Sequence, residues 1–227
     1  GSGSGRAIAL ALAAHGATLA LASRGEKSLR ETAALVEAQG GVARVLTADL
    51  SSASEATTLP GRAAEAMGGL TIVVNNAGAG IYGPLEHASM EDFAATFDTN
   101  VRAPWLVARG ALPHFREAGH GTVAMIASVV AHKGYVNQGL YCASKHALLG
   151  LSRVMAQEFA RDNVRVLVVS PGGVDTPMAR AARPDLDPSI LISAGDVARA
   201  LLFQLSLEGG GAVDEVQMRR ASGSPWL

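Results

Sequence analysis

Tyr141 and Lys145 stand four residues apart, a spacing that puts two side chains on one face of a helix. A phenol titrates at about 10 in water and is a poor acid–base group near neutral pH. A neighbouring ammonium favours the phenolate and lowers that value. So placed, Tyr141 gives a proton to a carbonyl oxygen or takes one from an alcohol. Tyr-x-x-x-Lys is common by chance, and alone it reads as two ordinary helix positions. Ser128 gives it company: it ends the apolar run Ile126-Ala127-Ser128, and its hydroxyl projects from a strand's carboxyl end toward the following helix. There it reaches the same substrate oxygen. Asn75-Asn76-Ala77-Gly78 follows another apolar run and falls at the same edge. Asn100 lies on the helix after it. A buried Asn has to be hydrogen-bonded, and this one is expected to hold a water linked to Lys145.

A second group of residues suits a nucleotide. The chain opens Gly1-Ser2-Gly3-Ser4-Gly5-Arg6 and runs into a helical pattern. This is not a full G-x-G-x-x-G, but small residues before a helix let backbone N–H groups approach a pyrophosphate. A Gly-Ser linker is the bland alternative; the helical pattern that follows favours native sequence. The next strand ends at Ser23-Arg24, where a dinucleotide fold carries an acid for the ribose 2′-hydroxyl of NAD. Arg24, with help from the Ser23 hydroxyl, instead offers a charged partner to the 2′-phosphate of NADP. A solvated surface arginine is the competing reading.

The elements that must position these residues alternate along the chain. Helices are expected over 8–14, 27–38, 90–115, 140–160 and 196–207, with another opening at a Ser52/Glu55 capping box. Ser89 and Asp92 have similar spacing, and Pro104 suggests a kink or break inside the helix over 90–115. Strands are expected over 17–23, 42–48, 70–74, 122–127, 164–169 and 213–218. Alternation of this kind predicts one α/β domain over 1–227, a Rossmann-type doubly wound parallel sheet. The irregular stretch 171–195 holds Pro171, Pro177, Pro184 and Pro188. It leaves a strand end and is read as a substrate lid at about 178–195, with Met178, Leu186, Ile190, Leu191 and Ile192 as its apolar members. A small or acyl-chain substrate suits it better than a highly charged one.

The chain has 227 residues, is 48% hydrophobic and has a net charge of −1, so no basic excess favours nucleic acid. Its six histidines are scattered and its one cysteine, Cys142, has no partner; neither zinc nor an internal disulfide is expected. Cys142 reads as a small helix-packing residue rather than a redox switch. Arg6 with the apolar stretch after it resembles a secretory signal, but His15-Gly16 interrupts it. No apolar run reaches the ~20 residues a membrane span requires. A cytoplasmic protein is expected.

Taken in order, these residues resemble the short-chain dehydrogenase/reductase family in its single-domain form, over essentially the whole chain. Gly3-Ser4-Gly5 matches the end of the family's T-G-x-x-x-G-x-G loop, Asp49-Leu50 its adenine-side acid, and Asn75 to Gly78 its N-N-A-G. Asn100, Ser128, Tyr141 and Lys145 match its catalytic tetrad. Pro171-Gly172 matches its P-G, followed here by Gly173-Val174-Asp175-Thr176-Pro177-Met178. The resemblance implies that Tyr141 is the general acid/base and that Lys145 lowers its pKa and holds the nicotinamide ribose. It implies that Ser128 polarises the carbonyl and Asn100 supports a water relay. Asp49 would approach the adenine, Asn76, Ala77 and Gly78 would line the cofactor cleft, and Val174 and Thr176 would contact the carboxamide. The implied activity is hydride transfer between NADP(H), preferred over NAD(H), and a small carbonyl or alcohol substrate. The pattern is close to 3-oxoacyl-carrier-protein reductases and generic ketone reductases. A nucleotide-binding sensor or scaffold without turnover is the alternative, with epimerisation or dehydration behind it. A homo-dimer or homo-tetramer is implied, through 90–115, 140–160 and 213–218.

One departure concerns the fold. The family pattern begins with a central strand and the first half of the glycine loop, and both would precede Gly1. Losing that strand forfeits several buried side chains at roughly 1.5–3 kcal/mol each. The natural chain is therefore expected to be longer, and this sequence to lack the first strand.

Overall fold

The computed structural model describes residues 2–182, 187–207 and 211–223. Helices and strands alternate: α1 (Gly3–Ala14), β1 (Thr18–Ser23), α2 (Glu26–Ala38), β2 (Val42–Thr47), α3 (Ala53–Met67) and β3 (Ile72–Asn75). Then come α4 (Met90–Phe97), α5 (Ala103–Ala118), β4 (Gly121–Ile126), α6 (Gly139–Phe159), β5 (Val164–Pro171), α7 (Pro177–Ala182), α8 (Ala194–Leu205) and β6 (Glu215–Met218). The strand pairs among the described residues are parallel, which requires crossover connections such as the helices between them. The α/β class is that expected.

The sheet comes in two parts. β1 pairs with β2, and the other four run in the order β3-β4-β5-β6. β1 and β3 each have one unpaired edge, and residues of both line a slot between the two parts. Helices join the halves across this slot. On one face, Ile8 of α1 packs with Ala124, Ile126 and Val169 of the larger part. Ala9 and Ala13, on the same helix, pack with Leu19 and Ala43 of the smaller. On the other face α3 and α5 lie together over a core of Leu106, Phe115, Val123, Met125, Leu148 and Val166. Helices on both faces make β4 and β5 nearly all apolar, the mark of a doubly covered strand.

Several boundaries differ from expectation for local reasons. Helix α1 begins at Gly3 rather than at 8. The expected single helix over 90–115 is interrupted by a π-helical turn, Asp98–Arg102. Pro104, in the first turn of α5, has no N–H to give to an i−4 carbonyl, so the ladder widens just before it. Ser89 and Asp92 form the full reciprocal cap. Ser52 accepts from Glu55 N, but the Glu55 carboxylate accepts from Asp49 N, so this box is half made. The stretch 171–195 is less irregular than expected. Pro177 opens α7, where its fixed φ suits the first helical position. The base of the loop is stitched by Asp175 N to Ile192 O at 2.8 Å and Ile192 N to Gly173 O at 2.9 Å. Residues 183–186, within the expected lid, lie outside the described residues, as does Leu186.

Candidate active site

A cleft of about 2100 Å³ opens along the carboxyl ends of the strands and continues into the slot between β1 and β3. Tyr141 and Lys145 enter it from the first turns of α6. Ser128 enters from the end of β4, and Gly3, Ser4 and Gly5 from the start of α1. Asn76, Ala77 and Gly78 line it after β3; Pro171, Gly172, Val174 and Thr176 line it after β5. Ser23 and Leu50 line its far end. Arg24 and Asp49 stand outside that lining. Arg24 is exposed, yet near enough to help hold the Asp49 carboxyl below its ordinary value, behind the stronger effect of Ser51. The Asp49 carboxylate accepts from Ser51 N at 2.9 Å and the Ser51 hydroxyl at 2.7 Å.

Three positions show how closely the backbones approach. A Cβ at Gly3 would stand 3.0 Å from Thr176 Cγ2, and one at Gly5 would stand 2.8 Å from Asn76 Nδ2. Gly3 also has φ +55°, which glycine adopts without strain. A Cβ at Gly78 would lie 3.4 Å from Asn100 Oδ1 and 3.9 Å from Lys145 Nζ. The opening of α1 has neither a side-chain cap nor an acid in its first turn. Its amides therefore suit an anionic group. This cradle fits the diphosphate of a dinucleotide.

Asn100 is fully buried in the π-turn. Its side chain accepts from Ala79 N at 2.8 Å and donates to Ala79 O at 2.8 Å and to Ser144 Oγ at 3.0 Å. Ser144, equally buried, donates to Tyr141 O at 2.8 Å. Asn100 thus ties the loop after β3 to the helix that carries Tyr141 and Lys145. Ser144 was not singled out from sequence, although its spacing from Tyr141 puts it on the same helical face.

The Tyr141 pKa does not move in the expected downward direction. Burial raises the Tyr141 pKa, with Tyr82 adding to it and a hydrogen bond from Ser128 opposing it. Lys145 is not among the groups that shift it. Burial pushes the Lys145 ammonium down to about 8. Its Nζ donates to Ile126 O at 3.0 Å and lies 5.8 Å from the centroid of the Tyr141 ring. Desolvation is the largest effect on each group and sets both directions. At neutral pH the pair is a phenol beside an ammonium, the state of a proton donor.

Two further residues escaped the sequence reading. Tyr82, on the loop after β3, packs on Tyr141 with ring centroids 5.8 Å apart. Tyr135, before α6, lines the same cleft, beneath Lys133. Both sit on loops, where no periodicity points to them.

The family model for short chain dehydrogenases matches residues 1–187. Levodione reductase of Leifsonia aquatica is 36% identical over 191 residues, which cover 83% of this chain and 72% of that one. The alcohol dehydrogenase of the archaeon Thermococcus sibiricus, solved with 5-hydroxy-NADP, superposes with a TM-score of 0.90 at 28% identity, over 99% of this chain and 94% of that one. A metagenomic short-chain oxidoreductase in complex with NADP gives 0.84 at 28% identity, over 97% and 93%. The fold, the cradle and the sequence thus agree along nearly the whole length, and the chain belongs to the short-chain dehydrogenase/reductase family as an NAD(P)-dependent oxidoreductase.

Proposed function

We propose that the protein is an NADP(H)-dependent reductase of a carbonyl on a small, largely apolar molecule, with Tyr141 as its proton donor. The observation that carries this reading is the half-buried Tyr141, which shares one cleft with Ser128 and the Lys145 ammonium. When bound, NADPH supplies the hydride. Gly3, Ser4 and Gly5 would hold its diphosphate, Ser23 and Arg24 its 2′-phosphate, and Asp49 and Leu50 would flank its adenine. Asn76, Ala77, Gly78, Pro171, Gly172, Val174 and Thr176 would line the rest of its path. Lys145 would hold the ribose next to the nicotinamide.

The protein's own residues then perform the proton chemistry. The Ser128 hydroxyl and the Tyr141 phenol converge on the substrate oxygen and orient the carbonyl. As negative charge develops there, Tyr141 gives up its proton to the substrate oxygen. Lys145, whose Nζ donates to Ile126 O, is the group from which that proton would be replaced. The complexes of two structural neighbours with NADP-type cofactors support the choice of cofactor. The non-catalytic sensor reading has no observation in its favour.

A cytoplasmic homo-oligomer is part of the same proposal. Cys142 is a free, buried thiol, as suits a reducing compartment. Met90, Phe93, Trp105 and Val154 expose apolar surface on α4, α5 and α6, where the family resemblance puts subunit contacts. Among the described residues no helix is long and apolar enough to cross a membrane.

Tyr141→Phe tests the reading. Turnover of a ketone panel with NADPH should fall by roughly 10²–10⁴-fold, the usual worth of a positioned general acid. Cofactor affinity, read by NADPH fluorescence, should stay within about threefold, since a single hydroxyl is removed. Retained turnover would remove Tyr141 from its role.

A further inference from the structure

We propose that Tyr82 is a specificity-determining residue, whose ring forms the wall of the cleft beside Tyr141 and selects flat cyclic ketones over flexible open-chain ones. This rests on the reductase reading above and adds the substrate class to it.

The first observation is distribution. The chain has three tyrosines, and all three, Tyr82, Tyr135 and Tyr141, line the one cleft. The Tyr82 and Tyr141 rings are 5.8 Å apart and inclined at 53°, so together they make an aromatic corner rather than a closed stack. A flat ring system whose carbonyl reaches the Tyr141 hydroxyl has an aromatic face to rest on. Ring–ring contact adds to simple apolar burial and needs few rotors to be frozen on the ligand. A flexible chain gains less there and loses more conformational freedom.

The second observation is how firmly that ring is held. Ala79, at the start of the loop, is fixed by both backbone groups to the buried Asn100 side chain. Gly83, just after Tyr82, donates to Asn137 O at 2.8 Å, and its strand bridge to Gln138 ties the loop to the residue before α6. Between these anchors the Tyr82 ring folds back over Gly80, where any side chain would collide with it. The ring is therefore seated rather than free to swing aside. Burial accompanies this: it raises the Tyr82 pKa, so the wall stays neutral at working pH.

The test compares two ten-carbon probes, β-tetralone and 2-decanone, by kcat/KM with NADPH. Wild type should prefer the bicyclic ketone by at least tenfold. Tyr82→Leu should lower kcat/KM for β-tetralone by about tenfold and change it for 2-decanone by less than about threefold, because the lost ring contact serves only the flat substrate. Tyr82→Phe should keep the selectivity, since the ring rather than the hydroxyl provides it. Gly80→Ala gives a second route: it leaves Tyr82 chemically intact but takes the ring's seat, and the same loss of selectivity should follow. A wild type that reduces both probes without preference overturns the proposal and leaves the reductase reading standing. Equal losses on both probes in Tyr82→Leu also overturn it, making Tyr82 a support for Tyr141. A wild type that binds NADPH but reduces neither probe nor any other ketone overturns the reductase reading, and this proposal with it.

Discussion

The two parts of the sheet are built to different standards of enclosure. Every residue of β4 is buried, and in β5 only Arg165 is exposed. In β1 a single residue, Leu19, is buried, and in β2 only Ala43. The difference follows from pairing: β4 and β5 have a strand on each side, whereas β1 has β2 on one side and the open slot on the other. Function divides along the same line. Ser128, Tyr141 and Lys145, the proposed proton-transfer group, hang from the enclosed part. Ser23, Arg24 and Asp49, the residues proposed to meet the nucleotide's charged end, hang from the open part.

Matched core truncations should expose this contrast most strongly. Met125, fully buried in β4, is surrounded by α5 and α6 side chains, and Met125→Ala should cost about 2–5 kcal/mol in denaturant unfolding. Leu21 of β1 is partly buried beside the slot, and Leu21→Ala should cost less than about 1.5 kcal/mol, since little surrounding structure is left empty. Equal losses would mean that the slot is closed in solution and that the two parts form one continuous core.

A smaller effect is expected from pH. Burial lowers the Lys145 pKa to about 8, from 10.5. Below pH 8 folded and unfolded chains both hold the proton, and the folded state carries the full cost of the buried charge. Between about 8 and 10 the unfolded chain binds more protons, so stability rises with pH. Tyr141, whose pKa is raised, works in the opposite direction only above its ordinary value near 10. The limiting slope is about 1.4 kcal/mol per pH unit, so the gain should be roughly 2 kcal/mol across this window. Lys145→Met should flatten it relative to wild type. An unchanged profile in that variant would show that the ammonium is solvated.

What the sequence reveals follows the same division of causes. Tyr141 and Lys145 are legible because helical spacing fixes their shared face, and Ser128 because an apolar run ends at it. The break before α5 is half legible: Pro104 announces it, but the π-turn that seats Asn100 depends on how the ladder relaxes in three dimensions. Ser52 and Glu55 have the spacing of a cap, yet Glu55 reaches Asp49 N instead, a choice set by the turn that Asp49 and Ser51 make. Tyr82 and Tyr135 lie on loops whose paths are fixed by distant anchors. The direction of the Tyr141 shift is not legible, because it depends on burial, which pairwise spacing does not report.

Arg24 carries the smallest expected effect, and the contrast between the two halves explains why. It is exposed and already has the Asp49 carboxylate in its neighbourhood, so a 2′-phosphate would gain a screened attraction rather than a buried ion pair. Arg24→Ala should therefore weaken NADPH binding by about tenfold, or about 1.4 kcal/mol. NADH, which lacks the phosphate, should bind within about twofold of wild type. The wild-type preference for NADPH should also shrink as salt is raised from about 50 mM to 500 mM, because the Debye length falls well below 10 Å over that range. Both quantities come from the same fluorescence titration. If the two cofactors weaken together, Arg24 is shaping the end of β1 rather than reading the phosphate. If NADPH binding falls a thousandfold, the arginine is desolvated in the complex, and the open half of the molecule closes around its cofactor as tightly as the catalytic half closes around Tyr141.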